Sequence, residues 1–278
     1  MTWSLIESSS ALDSLLAQHK VSKQVAIDTE FRRRDTFFPK VGLLQLCWDE
    51  EAFLIDPLQL DDVGMLRDFL TDPNQLKMIH SASEDLEVFS SWLGILPSPL
   101  FDTQRAAALL GFGVGLGYRR LVGKFFDVDL PKEETQSNWL KRPLSLSQVK
   151  YAAQDVSYLY PIGIKLLEQA SRQGRLNWIL EDSARIVPSG KSPISKFKKA
   201  YSLTISQQRV LIAAVDWREQ EARRLNRPRG WILSDQLLMR VAKICPRSEG
   251  ELSSIDGIPK AFLRRSGRDL VARVRASL

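Results

Sequence analysis

The segment Val25–Phe31, with the sequence Val-Ala-Ile-Asp-Thr-Glu-Phe, constrains the fold of this chain more than any other. Its Val, Ile and Phe residues favour a buried β-strand, and alternation along a strand directs Asp28 and Glu30 to the same face. Two carboxylates that repel each other in an apolar layer need a compensating partner, because an unpaired buried charge is costly. The segment therefore predicts a strand whose acidic pair holds a divalent cation, with a solvated strand end or a pair of caps as the simpler alternative.

Neighbouring segments indicate which kind of sheet this strand joins. Val41–Trp48 and Ala52–Ile55 are further β-type runs joined by short polar turns, which suggests an antiparallel meander. The pattern then becomes helical, and Ser83–Leu93 has the spacing of an amphipathic helix after a short strand at Lys77–His80. Strands followed by alternating helices predict a mixed sheet covered by helices, which is an α/β layer architecture.

Two later segments add carboxylates to the acidic pair. Asp85 lies early in its predicted helix, and Tyr151 and Asp155 lie four positions apart in a helical segment, so they project from one helix face. The four carboxylates are those of Asp28, Glu30, Asp85 and Asp155. They supply enough oxygen ligands for two hard cations such as Mg²⁺ or Mn²⁺. This count fits two-metal phosphoryl chemistry.

The charge of the chain differs between its two parts. Residues 191–278 hold 19 Lys and Arg against 8 Asp and Glu, a net charge of +11, whereas residues 1–190 hold 20 against 25, a net charge of −5. A basic part suits a polyanion such as nucleic acid, with a solvated helical face as the simpler alternative. A stretch rich in Pro, Gly, Ser and Lys near the same point is typical of a linker. We therefore predict two domains, residues 1–186 and 204–278, joined by a linker at 187–203.

Several classes of protein and of site are disfavoured. No stretch has the layout of a signal peptide or the apolar length of a membrane span, so we expect a cytoplasmic protein. Cys47 and Cys245 are too few for a disulfide framework or a zinc site. His80 and Asp102 are interpreted as a hydrogen-bonded structural residue and a helix cap. Gly111–Gly117 lacks the preceding strand of a dinucleotide site, and we predict a flexible loop near the substrate path.

The ordered motifs resemble a known family. Asp28-Thr-Glu-Phe after an apolar strand, His80 followed by Asp85, and Tyr151 followed by Asp155 are similar to the three exonuclease motifs of the DEDD superfamily, in its tyrosine-containing branch. Other stretches resemble the ribonuclease D family in particular, and these are Phe38–Leu46, Leu54–Pro57, Phe101–Gln104, Leu116–Tyr118 and Ser137–Leu144.

The resemblance continues beyond the predicted linker. Trp217–Arg223, Asn226–Pro228, Trp231–Asp235 and Ile255–Ile258 look like the HRDC domain, a small helical bundle shared by RecQ helicases and ribonuclease D. The likeness implies a ribonuclease H-like exonuclease fold followed by a small all-α HRDC bundle. Ribonuclease D chains are better known with two such bundles, and this sequence holds one. A smaller departure is Gln136, where the family more often has Arg.

The resemblance also implies a reaction. A member of this family is a two-metal 3′–5′ exoribonuclease that releases nucleoside 5′-monophosphates. Asp28 is then the bridging metal ligand. Glu30 and Asp155 complete the site on the nucleophile side, and Asp85 holds the second cation. Tyr151 orients the attacking water, because a free tyrosine with a pKa near 10 is a poor base at neutral pH. The expected substrates are tRNA precursors with unpaired 3′ tails or other small RNAs, and the expected state is a monomer without membrane contact.

Three questions stay open at the level of sequence. The same site can degrade DNA, because discrimination depends on contacts to the 2′-OH that motifs do not reveal. A catalytically weak RNA-binding module with the same fold is the second alternative, and the presence of all four carboxylates argues against it. Arg32–Arg34 is either a solvated turn or a contact to the nucleic-acid backbone.

Overall fold

The structure, a computed structural model, describes residues 2–49, 51–131, 134, 136–188 and 192–278. Two compact units make up the chain. The first unit comprises Met1–Arg32 and Pro39–Gly190, and the second comprises Arg33–Phe38 and Lys191–Leu278. The segment Arg33–Phe38 therefore belongs to the second unit, although it lies in the sequence between two strands of the first.

A six-stranded mixed sheet forms the centre of the first unit. Its strands are β1 (Thr2–Ile6), β2 (Gln24–Arg32), β3 (Lys40–Trp48), β4 (Glu51–Ile55), β5 (Leu76–Ile79) and β6 (Leu100–Asp102). The spatial order is β1-β4-β3-β2-β5-β6. The predicted antiparallel meander is present, because β3 pairs antiparallel with both β2 and β4. The other strands add to it in parallel, so the predicted mixed sheet is confirmed.

Helices cover this sheet. Those described in the first unit are α1 (Ser9–Gln18), α2 (Gly64–Thr71), α3 (Ser83–Leu93), α4 (Thr103–Leu109), α5 (Tyr118–Phe126), α6 (Leu146–Ser157), α7 (Leu159–Arg172) and α8 (Leu176–Ala184). The helix predicted at Ser83–Leu93 is α3. A capping box begins α6, since the side chains of Ser145 and Gln148 each accept the other's backbone N–H. Asp102 caps α4, as its carboxylate accepts from the N–H groups of Gln104 and Arg105.

The acidic pair of β2 faces the layer that contains α6. Val25 and Ile27 pack with α3 in one hydrophobic cluster, whereas Ala26 packs with α6 and α7 in the other. Side chains two apart on a strand share a face. Asp28 and Glu30 therefore lie on the face of Ala26, where α6 can bring further polar groups to them.

The second unit is a small all-α bundle, as predicted. Its α-helices are α9 (Ile205–Leu225), α10 (Arg229–Ile232), α11 (Asp235–Ile244), α12 (Glu249–Ser253), α13 (Lys260–Phe262) and α14 (Arg268–Ser277). A π-helical turn at Leu263–Gly267 precedes α14. Phe197 and Leu203, which fall in the predicted linker, are buried in its core. Among the described residues of both units, no helix combines the length and the apolar character needed to cross a membrane.

Asn226 fastens Arg33–Phe38 within the second unit. This residue ends α9 in the left-handed conformation, with φ of 46°. Its side-chain oxygen accepts from the backbone N–H groups of Phe37 at 3.0 Å and Phe38 at 3.1 Å. The Phe37 ring is buried, and the guanidinium groups of Arg223 and Arg229 lie 4.8 and 4.6 Å from its centroid. Hydrogen bonds therefore hold the backbone of the segment, and cation–π contacts hold its Phe37 ring.

We expect Asn226→Ala to lower the free energy of unfolding by about 1–3 kcal/mol, because two backbone N–H groups lose their acceptor. Alanine also disfavours the left-handed conformation, whereas glycine adopts it freely. Asn226→Gly is therefore the matched variant that isolates the lost hydrogen bonds. Urea denaturation of the three proteins measures both effects. Equal stability of Asn226→Ala and the wild type would show that Asn226 does not anchor this segment.

Candidate active site

Three of the predicted site residues lie together at one position. Asp28 and Glu30 of β2 and Asp155 of α6 each place a possible ligand atom within 4.8 Å of those of the other two. All three side chains are partly exposed, so a small ion can reach them. The strand supplies two carboxylates because of its alternation, and the helix supplies the third from the layer above.

Asp85 joins this group from the other side of the strand. It lies in the first turn of α3 and is buried, and its carboxylate accepts a hydrogen bond from the Thr29 hydroxyl at 2.5 Å. Thr29 stands between Asp28 and Glu30 in β2 and therefore points to the opposite face. Its hydroxyl fixes Asp85 close enough to affect the acidic pair. We call Asp28, Glu30, Asp85 and Asp155 the acidic cluster.

Every carboxyl group of the acidic cluster has a raised pKa. Burial is the largest cause for each of them. The neighbouring charges come next for Asp28, whose pKa is raised by Asp85, Asp155 and Glu30, and for Glu30, whose pKa is raised by Asp155 and Asp85. The pKa of Asp85 and that of Asp155 are both raised to about 7. Without a compensating cation, the cluster therefore resists full ionisation at neutral pH.

Tyr151 lies one helical turn before Asp155 on α6. A hydrogen bond between the two side chains lowers the pKa of Asp155 and partly offsets the effect of burial. The rings of Tyr151 and Trp139 are neighbours, with centroids 6.2 Å apart. The tyrosine hydroxyl therefore stands beside a cluster carboxylate, where it can orient a polar group bound there.

A cleft of about 1160 Å³ opens over Asp28, Glu30, Tyr151 and Asp155. Its other walls are largely formed by α5 and the residues on either side of it, and they include Gly115, Gly117, Tyr118, Arg119, Arg120, Asp127 and Asp129. The glycine-rich loop predicted to lie near the substrate path thus contributes to the wall. Arginine side chains in the same wall can contact phosphate groups of a nucleic acid.

His80 also lines the cleft but is not grouped with the acidic side chains that could hold an ion. Its Nδ1 lies 2.9 Å from the Thr103 hydroxyl oxygen. Burial lowers its pKa to about 4, although Asp102 and the backbone of Leu116 act in the opposite direction. The imidazole is therefore neutral at physiological pH, in keeping with its interpretation as a structural residue.

Tyr118 is a residue of the site for which the sequence predicted no role. Its hydroxyl donates to the backbone carbonyl of Asp155 at 2.5 Å and also lies 3.1 Å from that of Gln154. The hydroxyl thereby ties α5 to the part of α6 that carries the Asp155 carboxylate. The only signal in the sequence was that Tyr118 lies in the family-like stretch Leu116–Tyr118. A hydrogen bond to a backbone carbonyl 37 positions away leaves no pattern in a sequence.

We expect Tyr118→Phe to lower kcat by roughly five- to tenfold, because a hydrogen bond contributes about 1 kcal/mol and its loss frees the backbone next to Asp155. Tyr160→Phe is the matched control, since the Tyr160 hydroxyl bonds the exposed side chain of Asp49 at 3.2 Å. Initial rates of nucleotide release measure both variants. Equal kcat values for Tyr118→Phe and Tyr160→Phe would contradict a positioning effect of this hydroxyl.

Comparisons with known proteins identify relatives of both units. A family model described as 3′-5′ exonuclease matches residues 4–170, and the model of the HRDC domain matches residues 207–274. Ribonuclease D of Pseudomonas paraeruginosa is 39% identical over 269 residues, which cover 93% of this chain and 71% of the relative. That of Escherichia coli is 36% identical over 281 residues, which cover 99% of this chain and 74% of the relative.

Solved structures give the same picture. The crystal structure of Escherichia coli RNase D, described as an exoribonuclease involved in structured RNA processing, matches with a TM-score of 0.84 and 35% identity, over 100% of this chain and 75% of that one. Brucella melitensis NrnC, solved with bound Mg²⁺, matches with a TM-score of 0.57 and 25% identity, over 67% of this chain and 90% of that one. The likeness to the first structure extends over both units.

Proposed function

This chain belongs to the ribonuclease D family and is a 3′–5′ exoribonuclease, and from that premise we propose that it trims tRNA precursors with unpaired 3′ tails, or other small RNAs. It releases nucleoside 5′-monophosphates one at a time from the 3′ end. The carboxylates of Asp28, Glu30 and Asp155, which line an open cleft, carry this proposal. The description of the Escherichia coli relative as acting in structured RNA processing supports the choice of substrate.

We propose that the acidic cluster holds two divalent metal ions, Mg²⁺ or Mn²⁺. Three carboxylates with possible ligand atoms within 4.8 Å of one another, and Asp85 held near them by Thr29, suit hard cations, which prefer oxygen ligands. Burial of the four carboxyl groups and, for Asp28 and Glu30, the charges of their neighbours raise the pKa values of these groups, and a bound cation would offset both effects. When bound, such ions supply Lewis-acid activation of water and neutralise charge on the leaving 3′-oxygen. The Mg²⁺ bound by Brucella melitensis NrnC supports this assignment.

The residues of the cluster take different parts in this proposal. Asp28 is central, because all three other carboxylates raise its pKa, and it is proposed as the ligand shared by both ions. Glu30 and Asp155 would complete the site for the ion on the nucleophile side. Asp85, which accepts a hydrogen bond from Thr29, would bind the second ion. Tyr151 orients the attacking water through the hydroxyl that bonds Asp155.

We propose a nuclease domain at residues 1–186, a linker at 187–203 and an HRDC domain at 204–278 that adds affinity for RNA through its positive charge. We also propose that the protein acts as a monomer in the cytoplasm. The strongly basic character of residues 191–278 supports the RNA contact and predicts binding that weakens as salt rises.

The experiment follows a 5′-labelled tRNA precursor with an unpaired 3′ tail and a single-stranded DNA of the same tail sequence, with Mg²⁺, Mn²⁺ or EDTA. We expect stepwise 3′ shortening of the RNA that requires a divalent cation, produces 5′-monophosphates and is lost in Asp155→Ala. Faster loss of the DNA would contradict the proposed substrate. Shortening that continues in EDTA would contradict the proposed metal dependence.

A further inference from the structure

Three stretches of the first unit carry no reacting group, yet they meet beside Tyr151 and the acidic cluster. They contribute Gly42 from β3, Asp56 from the end of β4, and Trp139 and Arg142 from the loop that precedes α6. We propose that these four residues, called here the Arg142 network, are positioning residues that set the Tyr151 ring for hydrolysis. The inference rests on the proposed function, in which Tyr151 orients the attacking water.

Gly42 creates the space for this contact. In the pairing of β2 with β3, Glu30 faces Leu43 and Phe31 faces Val41, so Gly42 is the extra residue of a β-bulge next to Glu30. A Cβ atom at this position would lie 2.6 Å from the Trp139 carbonyl oxygen and 2.7 Å from its Cβ. Only glycine lets the backbone of Trp139 rest against the strand at this point.

Arg142 fastens the loop in that place. Its guanidinium donates to both carboxylate oxygens of Asp56, at 2.5 and 2.6 Å, and to the carbonyl oxygen of Gly42 at 2.7 Å. It also donates to the carbonyl oxygens of Trp139 at 2.9 Å and Lys141 at 3.0 Å. Five hydrogen bonds match the five N–H groups of the side chain. Because Asp56 is only 2% exposed, this bidentate pair is shielded from water and rigid.

The Trp139 ring connects this hydrogen-bonded loop to the Tyr151 ring. The indole is 1% exposed, and its centroid lies 6.2 Å from that of Tyr151 with an angle of 42° between the planes. The ring packs by contact alone, as its Nε1 has no hydrogen-bond partner among the described residues. A tyrosine hydroxyl sits at the end of a stiff ring, so the neighbour that fixes the ring angle also fixes the hydroxyl relative to Asp155.

A double-mutant cycle tests the proposal. Trp139→Leu removes the ring contact, Tyr151→Phe removes the hydroxyl, and the double variant removes both. We expect kcat to fall roughly tenfold or more in Trp139→Leu and roughly a hundredfold in Tyr151→Phe, within the range of a misplaced acid–base group. The double variant should be no slower than Tyr151→Phe, because coupled residues do not contribute additively. KM should change by less than about threefold in each, as only the reacting centre is disturbed.

Two further variants separate positioning from folding. Trp139→Phe keeps an aromatic ring beside Tyr151 and loses no hydrogen bond from the indole, so kcat should stay within about threefold of the wild type. Arg142→Gln should match Trp139→Leu in kcat and in its lack of additivity with Tyr151→Phe. Arg105→Gln, which breaks the half-exposed pair of Arg105 with Asp182, is its control and should keep wild-type kcat. All rates are taken well below the unfolding temperature of each variant.

The outcomes distinguish the two levels of the proposal. Wild-type kcat in Tyr151→Phe would overturn the role of Tyr151 in the proposed function. A slow Tyr151→Phe combined with wild-type kcat in Trp139→Leu, or with additive losses in the double variant, would overturn the Arg142 network alone. If Trp139→Leu fails to fold, the cycle of Arg142→Gln with Tyr151→Phe decides in the same way.

Discussion

Replacing Asp28 with asparagine is expected to lower kcat by about 10³-fold while it stabilises the metal-free protein at pH 8. The rate falls because Asp28 is the proposed shared ligand of both ions, and a catalytic metal ion contributes several kcal/mol to the transition state. The stability rises because burial and the charges of Asp85, Asp155 and Glu30 all oppose ionisation of Asp28 in the fold. Functional sites commonly combine an essential group with a cost in stability.

The measurement pairs initial rates of RNA shortening with thermal unfolding in EDTA. Asp68→Asn is a matched control, since it removes an exposed carboxylate from α2 in the same unit. We expect the control to change neither the rate nor the unfolding temperature by much. A metal-free Asp28→Asn protein that unfolds at a lower temperature than the wild type would show that ionisation of Asp28 does not destabilise the fold. A variant with unchanged kcat would remove Asp28 from the reaction.

The second large effect is a fall in the stability of the metal-free protein as pH rises from 5 to 8. The pKa values of Asp85 and Asp155 are about 7 in the fold, against an ordinary value of 3.8. The folded state therefore binds more protons than the unfolded state between about pH 4 and 7, so stability is lost as pH rises through that window. One unit of pKa shift corresponds to about 1.4 kcal/mol, and we expect these two coupled groups to contribute a fall of about 2–4 kcal/mol. Asp28 and Glu30, whose pKa values are also raised, add to this fall.

A double variant, Asp85→Asn with Asp155→Asn, should remove the part of this pH dependence that these two groups contribute, while the raised pKa values of Asp28 and Glu30 should preserve the remainder. Mg²⁺ should also raise the unfolding temperature of the wild type more at pH 8 than at pH 5, because a cation binds the ionised cluster. Urea denaturation in EDTA over this pH range gives the free energies. A wild type whose pH dependence equals that of the double variant would contradict the raised pKa values.

The sequence was most informative where a regular pattern carried the signal. Alternation in Val25–Phe31 predicted a strand with a shared acidic face, and helical spacing predicted α3 at its observed limits. The strand β1 escaped prediction because it is short and three of its five residues are exposed, and β6 has only three residues. Helical spacing over residues 146–160 continues across Tyr158, where the structure ends α6 and begins α7.

Contacts between distant positions of the chain were not predictable in the same way. The hydrogen bond from Thr29 to Asp85 joins residues 56 positions apart, and that from Phe37 to Asn226 joins residues 189 positions apart. The second of these explains why Arg33–Phe38 belongs to the second unit, which a linear division of the chain does not reveal. The loop that carries Trp139 and Arg142 has no regular period, so its position beside the acidic cluster follows only from the folded structure.

Crystals grown with Mn²⁺ show directly, without reference to activity, whether the acidic cluster binds two metal ions. Anomalous diffraction from Mn²⁺ locates each ion directly. We expect two peaks about 3.5–4 Å apart, on either side of the Asp28 carboxylate and within reach of Glu30, Asp85 and Asp155. The pair should be absent from Asp28→Asn crystals prepared in the same way. Strong Mn²⁺ peaks elsewhere on the protein, with none at Asp28 in the wild type, would contradict the proposed two-metal site.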